Sequence, residues 1–368
     1  MRDDALRDEL ARFDPAIPIE SAWTPPASWY REPAILALER TAVFRDGWQA
    51  VGRTDQVKAP GDYFTGCILD LPYVVVRDDA GTLRAFHNVC RHHAAEVCSG
   101  EGRLDELSCP YHGWTYRLDG RLTRAPRLGR SDVFDRDRFS VKPAAVAAWG
   151  PLVFVCLGDD PPALEPPLAE LKRRLDAMGT GNLTFVARRS YDLRCNWKVY
   201  VDNYLDGGYH VAVLHQALAG QLDLDTYLTE IFDRVSIQSV RSPETAPGAA
   251  GGDFAERIGA EALYAFVYPN LMLNRYGPIL DTNCVVPLGP DGCRVVFDYY
   301  FLDANDADFI ERSVAASHRV QEEDVSICES VQRGLGSPAY DRGIYAPKIE
   351  MAAHEFHKLL AADLRRSR

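Results

Sequence analysis

Residues 90–114 read CRHHAAEVCSGEGRLDELSCPYHGW, and this stretch decides how the first half of the chain folds. It holds a C-x-H pair, Cys90 and His92, and a C-x-x-H pair, Cys109 and His112, with sixteen residues between the pairs. Structural zinc usually takes both cysteines from one loop and both histidines from another. Here each loop supplies one thiolate and one imidazole, which favours an asymmetric [2Fe–2S] centre with two cysteines on one iron and two histidines on the other. Structural zinc remains the alternative.

The sequence on either side of these four ligands is typical of a small antiparallel β domain. Over residues 45–158, short β-rich runs such as PYVVVRD, LRAFHNV and LVFVCL alternate with Gly, Pro and Asp. The run RLDGRL predicts a hairpin turn. His93 and Cys98 lie inside the ligand stretch but outside the four-ligand pattern, and we interpret them as loop packing.

The pattern changes after the proline-rich residues 159–167, which marks a second unit over 165–368. Helices are predicted at 168–178, 196–220 and 306–335, and strands at 182–191, 262–276, 280–288 and 293–302. We expect residues 1–44 to form a helical segment that packs on this second unit. The fold class is therefore α+β.

Composition excludes several classes of partner. Hydrophobic residues make up 46% of the 368 residues and charged residues 26%, which is ordinary for a globular protein. A net charge of −12 argues against nucleic acid as a partner, and no run approaches 18 apolar residues, so no membrane span is expected. Nine cysteines without secretory context indicate reduced thiols or metal ligands. The start, MRDDALRDELARFDP, is acidic and unlike a presequence, so we expect a cytoplasmic location.

A second candidate metal site lies in residues 202–215, DNYLDGGYHVAVLH. His210 and His215 are five residues apart, so a regular helix would place them about 140° apart around its axis. A π-bulge or a break in the helix would bring both imidazoles to one metal. Gly207 and Gly208 weaken the helix just upstream and make such a distortion easier. Without a metal, the pair would be a packing feature of an amphipathic helix.

A carboxylate that completes this site is predicted in the helix around three consecutive acids, Glu322, Glu323 and Asp324. Asp324 falls on the apolar stripe of that helix and Glu322 points roughly opposite. The stripe consists of Val320, Asp324, Ile327, Cys328 and Val331. A core-facing aspartate requires a partner, which is either a metal or a structural salt bridge. Two histidines and one carboxylate are the ligand set of non-haem Fe(II) oxygenases.

With both patterns present, the chain resembles the α subunits of Rieske non-haem iron oxygenases over nearly its whole length. Within that family it is most similar to the choline monooxygenases. The residues that carry this narrower resemblance are the runs CNWKVYVDNYLDGGYHV, YPNLMLNRYGP, DTNCVVPLGP, VVFDYYFLD and EEDVSICESVQRGL.

The resemblance implies a Rieske domain followed by a catalytic domain whose antiparallel sheet is flanked by helices. It implies a [2Fe–2S] cluster on Cys90, His92, Cys109 and His112, and a mononuclear Fe(II) on three residues. These iron ligands are His210, His215 and Asp324. It further implies a homotrimer in which a carboxylate joins a cluster histidine of one subunit to an iron ligand of the next. Asp206 is the candidate for that carboxylate, and Asp202 is the alternative.

The same resemblance implies the activity. Electrons from NAD(P)H arrive through a separate reductase or ferredoxin, and O₂ is used to hydroxylate a small quaternary amine, with choline giving betaine aldehyde hydrate. Aromatic faces recognise quaternary ammonium groups. The candidate aromatic residues are Tyr204, Tyr209, Phe266, Tyr268 and Tyr276.

Other functions remain open from the sequence. A related enzyme would oxidise or N-demethylate another amine, or act on an aromatic substrate. An electron carrier would hold only the cluster and would contain two irons per chain instead of three. A zinc module would be colourless.

Overall fold

The computed structural model describes residues 3–215, 226–241, 257 and 261–366. The chain divides into two compact units. One consists of Phe44–Leu164, and the other combines Met1–Val43 with Glu165–Arg368. In the described part of the chain, no helix is long and apolar enough to cross a membrane.

The unit Phe44–Leu164 is built from antiparallel strands, as the alternating β-rich runs predict. Its strands are β1 (Gln49–Arg53), β2 (Asp62–Ile68), β3 (Leu71–Arg77), β4 (Leu83–His87), β5 (Glu101–Arg103), β6 (Leu107–Ser108), β7 (Thr115–Tyr116), β8 (Leu122–Arg124), β9 (Pro143–Trp149) and β10 (Leu152–Cys156). Seven of them form one sheet in the order β1-β10-β9-β4-β3-β2-β5, and β6, β7 and β8 form a second. Gly120 has φ +89° in the turn that joins β7 to β8, a conformation that glycine tolerates.

The other unit contains a single antiparallel sheet among the described residues, with helices around it. Its strands are β11 (Thr184–Leu193), β12 (Leu228–Phe232), β13 (Val235–Arg241), β14 (Glu261–Val267), β15 (Leu271–Tyr276), β16 (Ile279–Gly289) and β17 (Gly292–Phe301). Their order is β11-β17-β16-β15-β14-β13-β12. The α-helices are α1 (Asp3–Ala11), α2 (Pro33–Glu39), α3 (Glu165–Ala177), α4 (Trp197–Tyr204), α5 (Val211–Leu214), α6 (Ala307–Leu335) and α7 (Met351–Arg366).

The structure corrects three predicted elements. The predicted helix 196–220 ends at Tyr204 and resumes only as the short α5, and residues 216–220 lie outside the described residues. The predicted strand 262–276 is two strands, β14 and β15, because the chain turns between them. The apolar stripe of α6 is only partly buried, since Ile327 and Val331 are 38% and 45% exposed.

Helix α4 is the element that anchors the site. It packs on α6 and on β16, and its residues Trp197 and Lys198 are buried. The Lys198 ammonium donates to Glu39 Oε1 at 2.7 Å, and the Trp197 indole donates to Glu39 Oε2 at 2.8 Å. Burial lowers the pKa of Lys198, and the charge of Glu39 opposes that effect. This buried pair ties α2 to the start of α4.

Candidate metal centres

The four residues of the first pattern converge in the unit Phe44–Leu164. The Cys90 and Cys109 thiols belong to its apolar core, whereas His112 is exposed and His92 is partly buried. The imidazole rings of His92 and His112 lie 4.7 Å apart between centroids. The two thiols are therefore on the inner side of the site and the two imidazoles on the outer side.

The loops that carry these ligands are held by backbone hydrogen bonds and by aromatic packing. Cys109 N donates to Trp114 O at 2.9 Å, and Gly113 adopts φ +70° to close that loop. The Trp114 indole stacks on His92 with centroids 4.7 Å apart, and Tyr116 Oη lies 3.3 Å from Cys90 Sγ. Trp114 therefore packs beside the site, and Tyr116 fixes the thiol side.

These residues fit an iron–sulfur cluster. His92 Nδ1 is buried and has no hydrogen-bond partner among the described residues, which is costly unless a ligand or metal meets it. Burial raises the pKa of the Cys109 thiol, and the Cys90 thiol beside it raises that pKa further. Two iron ions would compensate both effects, because they bind thiolate and free imidazole nitrogen.

The second pattern converges through a break in the helix rather than through a π-bulge. Helix α4 ends at Tyr204, the next turn places Gly207 at φ +69° and Gly208 at φ +77°, and α5 then starts at Val211. A side chain at position 207 would collide with Ile349, whose carbonyl oxygen would lie 2.4 Å from an added Cβ. Glycine is therefore required here by both backbone conformation and space.

This break brings three side chains to one point. Ligand atoms of His210, His215 and Asp324 all lie within 4.8 Å of one another. The His215 Nε2 atom is 3.1 Å from Asp324 Oδ1, and the His210 Nε2 atom is 4.0 Å from the same oxygen. Two imidazoles and one carboxylate in this arrangement are what a mononuclear Fe(II) site with open positions requires.

Outer hydrogen bonds orient the three groups. Asp206 Oδ2 lies 2.6 Å from His210 Nδ1, and Glu323 Oε2 lies 2.6 Å from His215 Nδ1. Both bonds leave the Nε2 atoms facing the shared point, as is usual for histidine ligands. Asn203 Nδ2 donates to Asp324 Oδ1 at 2.9 Å.

The electrostatics of the site also suit a cation. Burial lowers the pKa of His215, but Asp324 and Glu323 raise it more, so the net shift is upward. The anionic surroundings that hold a proton on His215 would equally stabilise a divalent ion in its place. The residues present therefore fit Fe(II).

Asp202 faces away from this point. Its Oδ2 accepts from Tyr30 Oη at 2.7 Å, and its Oδ1 lies 3.0 Å from His357 Nε2. Between the two carboxylates considered from the sequence, only Asp206 contacts an imidazole of the three-residue site.

A cavity of about 140 Å³ is lined in part by His210, His215 and Asp324. One water molecule needs roughly 10–15 Å³ of cavity volume measured in this way. A cavity of about 140 Å³ therefore accommodates a molecule of choline's size. Aromatic side chains make up much of its wall among the described residues. They are Tyr200, Tyr204, Tyr227, Tyr264, Tyr276 and Phe297.

The aromatic residues predicted from the sequence are found in different places. Tyr204 and Tyr276 line the cavity. Phe266 and Tyr268 contact Phe356 instead, with ring centroids 5.7 Å and 6.1 Å away, and neither lines the cavity. They lie next to the turn that ends β14, which the predicted continuous strand did not include. Tyr209 is 61% exposed.

Comparison with known proteins agrees with both centres. Residues 47–140 match the Rieske [2Fe-2S] domain family, and residues 180–365 match the ring hydroxylating alpha subunit (catalytic domain) family. The chain belongs to the Rieske non-haem iron oxygenases. Its cofactors are accordingly a Rieske [2Fe–2S] cluster and a mononuclear iron.

Individual relatives of this Rieske oxygenase are similar along nearly the whole chain. The chloroplastic choline monooxygenase of Arabidopsis thaliana is 49% identical over 97% of this chain and 86% of its own length. The carnitine monooxygenase oxygenase subunit of Acinetobacter pittii is 30% identical over 87% of each chain. A solved quaternary ammonium Rieske monooxygenase in complex with L-carnitine superposes with a TM-score of 0.80 at 27% identity, covering 93% of this chain and 96% of that one.

Sequence reasoning missed several residues of this oxygenase's site. Glu323 was placed in an acidic run but was not assigned to His215, although an iron-ligating imidazole needs an acceptor on its second nitrogen. The polar residues that line the cavity were also missed, because they come from separate helices and strands that only the folded chain brings together. They are Asn203, Arg257, Asn274, Asp281, Asn283, Ser317 and Gln321.

Proposed function

We propose that this oxygenase converts choline to betaine aldehyde hydrate. One O₂, two electrons and two protons are consumed; one oxygen atom enters the C–H bond of the alcohol carbon and the other leaves as water. The resulting gem-diol loses water to give betaine aldehyde. The observation that carries this proposal is a small, aromatic-lined cavity that opens directly on His210, His215 and Asp324.

The aromatic wall supports a quaternary ammonium substrate. Tyr204 Oη donates to Asn274 Oδ1 at 2.9 Å, and Tyr227 Oη donates to Gln238 Oε1 at 2.7 Å. With their hydroxyls bonded to protein groups, these residues can offer ring faces to a cation that has no N–H group of its own. Burial raises the pKa of both tyrosines well above the ordinary value, so the rings stay neutral.

We assign the metal ligands from the same geometry. His210, His215 and Asp324 would hold Fe(II), and Cys90, His92, Cys109 and His112 would hold the cluster. When bound, the iron supplies activation of O₂ for C–H hydroxylation and the cluster supplies electrons. The chain itself positions the substrate's alcohol carbon at the open side of these three residues.

We further propose that the protein is a homotrimer in which Asp206 passes electrons from the cluster of one subunit to the mononuclear iron of the next. A separate reductase or ferredoxin would supply these electrons. In support, Asp206 contacts His210 directly and also lines a second cavity of about 240 Å³, together with Asp202 and His357. A solved quaternary ammonium Rieske monooxygenase is described as using inter-subunit electron transfer. A cytoplasmic location belongs to the same proposal, and immunoblotting of fractionated cells tests it.

The decisive experiment supplies the iron-loaded protein with a surrogate reductase, NADH, O₂ and a panel of amines. Choline, glycine betaine, L-carnitine and γ-butyrobetaine are incubated separately, and products are identified by mass spectrometry. The proposal requires betaine aldehyde from choline, with ¹⁸O from ¹⁸O₂ in part of the promptly trapped product, because the gem-diol loses either of its two oxygens as water; trapping with borodeuteride distinguishes the product from unreacted choline. Turnover of another amine without turnover of choline would overturn the substrate and keep the reaction class.

A further inference from the structure

Two polar atoms in the wall of the substrate cavity are buried and have no hydrogen-bond partner among the described residues. One is Oδ1 of Asp281, and the other is Nε2 of Gln321. Each residue is only 1% exposed. Buried polar groups are nearly always satisfied, so an acceptor and a donor left open in one cavity point to a ligand that carries the complementary groups.

Asp281 is held by its other oxygen. Oδ2 accepts from Tyr276 Oη at 2.8 Å and from the Arg257 guanidinium. Arg257 is itself anchored, because it donates to Ser313 O at 2.9 Å and to Tyr276 Oη at 2.8 Å. The carboxylate is thus fixed; burial raises the pKa of Asp281, the Arg257 guanidinium opposes that effect, and Oδ1 remains free for a ligand.

The Arg257–Asp281 pair also changes which aromatic faces are open. The guanidinium carbon of Arg257 lies 5.2 Å from the ring centroid of Tyr276. That face of Tyr276 is therefore already covered by a cation. The carboxylate oxygen, rather than the Tyr276 ring, is the group that this part of the wall presents to a substrate.

Gln321 is oriented by Tyr200, whose Oη donates to Gln321 Oε1 at 2.6 Å. This bond occupies the carbonyl oxygen of the side chain and leaves the amide nitrogen as a free donor. Gln321 stands on α6 three residues before the ligand Asp324, which is about 4.5 Å along a helix axis. The free donor therefore lies at the metal end of the cavity.

Asp281 lies further from that end. Its cross-strand neighbour Tyr299 contacts Ser317 Oγ at 3.2 Å, and its partner Arg257 contacts Ser313. Ser317 and Ser313 precede Asp324 on α6 by roughly 10 Å and 16 Å of helix rise. The open acceptor and the open donor are thus separated along the helix, with the donor nearer the metal ligands.

We propose that the substrate lies lengthwise between these two atoms, its quaternary nitrogen against Asp281 Oδ1 and its hydroxyl oxygen accepting a hydrogen bond from Gln321 Nε2. This inference rests on the proposed function, and it names the residues that determine specificity. The arrangement turns the alcohol carbon toward His210, His215 and Asp324 and keeps the N-methyl groups away. It accounts for oxidation at the alcohol carbon rather than demethylation.

Equilibrium binding tests each contact with ligands that differ by one group. Calorimetry under anaerobic conditions would compare choline with 3,3-dimethyl-1-butanol, which has carbon in place of nitrogen, and with ethyltrimethylammonium, which lacks the hydroxyl. We expect the wild-type protein to bind choline at least about 100-fold more tightly than the neutral alcohol. Equal affinity for those two ligands would overturn the role of Asp281, and this measurement requires no variant.

Substitutions then assign the effects to residues. Asp281→Asn should reduce the preference for choline over the neutral alcohol to below about tenfold. The matched control is Asp298→Asn, because Asp298 is also buried and paired with an arginine, Arg188, but does not line the cavity. The control should keep the wild-type preference. An unchanged preference in Asp281→Asn would contradict the proposal.

The donor is tested separately with Gln321→Leu. This variant should weaken the binding of choline about tenfold. It should leave the affinity for ethyltrimethylammonium unchanged, since that ligand has no oxygen to accept the hydrogen bond. Equal weakening of both ligands would show a loss of packing and overturn the role of Gln321.

Asp281→Asn leaves Arg257 buried without its anion, which endangers folding. The double variant Arg257→Gln with Asp281→Asn removes both charges together and should show the same loss of preference. Failure of the proposed function gives a different result. If choline binds with the expected preferences but is not oxidised, the proposed reaction is wrong and the binding mode stands. If choline is oxidised while Asp281→Asn keeps the wild-type preference, the binding mode is wrong and the proposed reaction stands.

Discussion

Asp206 Oδ2 lies 2.6 Å from His210 Nδ1 and also accepts the backbone N–H of His210 at 3.0 Å. Its other oxygen accepts the backbone N–H groups of Gly208 and Tyr209 at 3.0 Å and 3.1 Å. One carboxylate therefore both shapes the turn that breaks the helix and fixes the tautomer of the imidazole that the turn delivers. Folding and metal chemistry depend on the same side chain here.

Asp206→Asn should lower kcat by at least about tenfold while the iron content stays near three per chain, because an amide keeps the shape but not the charge beside His210. Asp202→Asn is the matched control. It alters the contacts with Tyr30 and His357 and should leave kcat within about twofold. Steady-state oxidation assays and iron analysis on both variants check this. The opposite ranking of the two variants would assign the bridge to Asp202.

The two metal sites should be separable by substitution. His215→Ala should retain the red-brown colour and the electron paramagnetic resonance signal of the reduced cluster, hold two irons per chain and lose oxidation activity. Cys90→Ala should lose the colour and signal. Each result follows because no ligand is shared between the sites. Loss of the cluster signal in purified, folded His215→Ala protein would contradict the assignment.

Gly207→Ala should destabilise the protein by about 1–3 kcal/mol from backbone strain at φ +69°. The collision of the added Cβ with the Ile349 carbonyl should add to that loss. Gly179→Ala is a matched control, because Gly179 has φ +68° but an added Cβ would have only an ordinary contact of 3.7 Å with Asn182. Urea unfolding gives both values. The difference between the two losses in unfolding free energy gives the cost of the collision with Ile349. Equal losses would show that backbone strain alone destabilises Gly207→Ala.

Glu39→Gln should destabilise the protein by about 3–5 kcal/mol, because it leaves the Lys198 ammonium buried without an anion. Both side chains of the wild-type pair are at most 1% exposed. Asp176→Asn breaks the pair with Lys172, whose side chains are 58% and 61% exposed, and should change stability little. The two variants are compared by urea unfolding of the iron-loaded protein. A small effect of Glu39→Gln would mean that water reaches Lys198.

Cys98 should resist alkylation in the folded protein at pH 8. Burial raises the pKa of its thiol to about 12, so only about one molecule in ten thousand carries the reactive thiolate at that pH. Raising the pH toward 12 increases that fraction, and unfolding restores an ordinary thiol with a pKa near 9.0. Iodoacetamide labelling with peptide mass spectrometry checks this, with the exposed Cys67 as internal control. Rapid labelling of Cys98 at pH 8 would contradict it.

The candidate metal ligands could be proposed from the sequence because each carries a local signal. The spacing of Cys90, His92, Cys109 and His112 favoured a cluster over structural zinc. Helical phase placed Asp324 on the inner side of α6, and the structure finds it buried beside His215. The glycines indicated a distortion, and the structure shows a break there.

The cavity residues on the sheet could not be predicted because their positions depend on the register between strands. Asp281 lies opposite Asn274 on one side and Tyr299 on the other, pairings that only the folded sheet defines. Phe266 and Tyr268 were expected in the cavity from their aromatic character alone, whereas the fold packs both against Phe356. Glu323 was overlooked because it lies on a half-exposed face of α6. Its long side chain nevertheless reaches the buried imidazole of His215.

The spacing of the two ligand sets along the chain has a consequence for biosynthesis. The candidate cluster ligands end at His112 and lie in the unit Phe44–Leu164, whereas the candidate mononuclear site is complete only once Asp324 has been synthesised. A polypeptide emerging from the ribosome thus contains all four candidate cluster residues long before it can retain the mononuclear iron. The candidate cluster residues are therefore all synthesised before the candidate Fe(II) site can be complete, because that site needs Asp324.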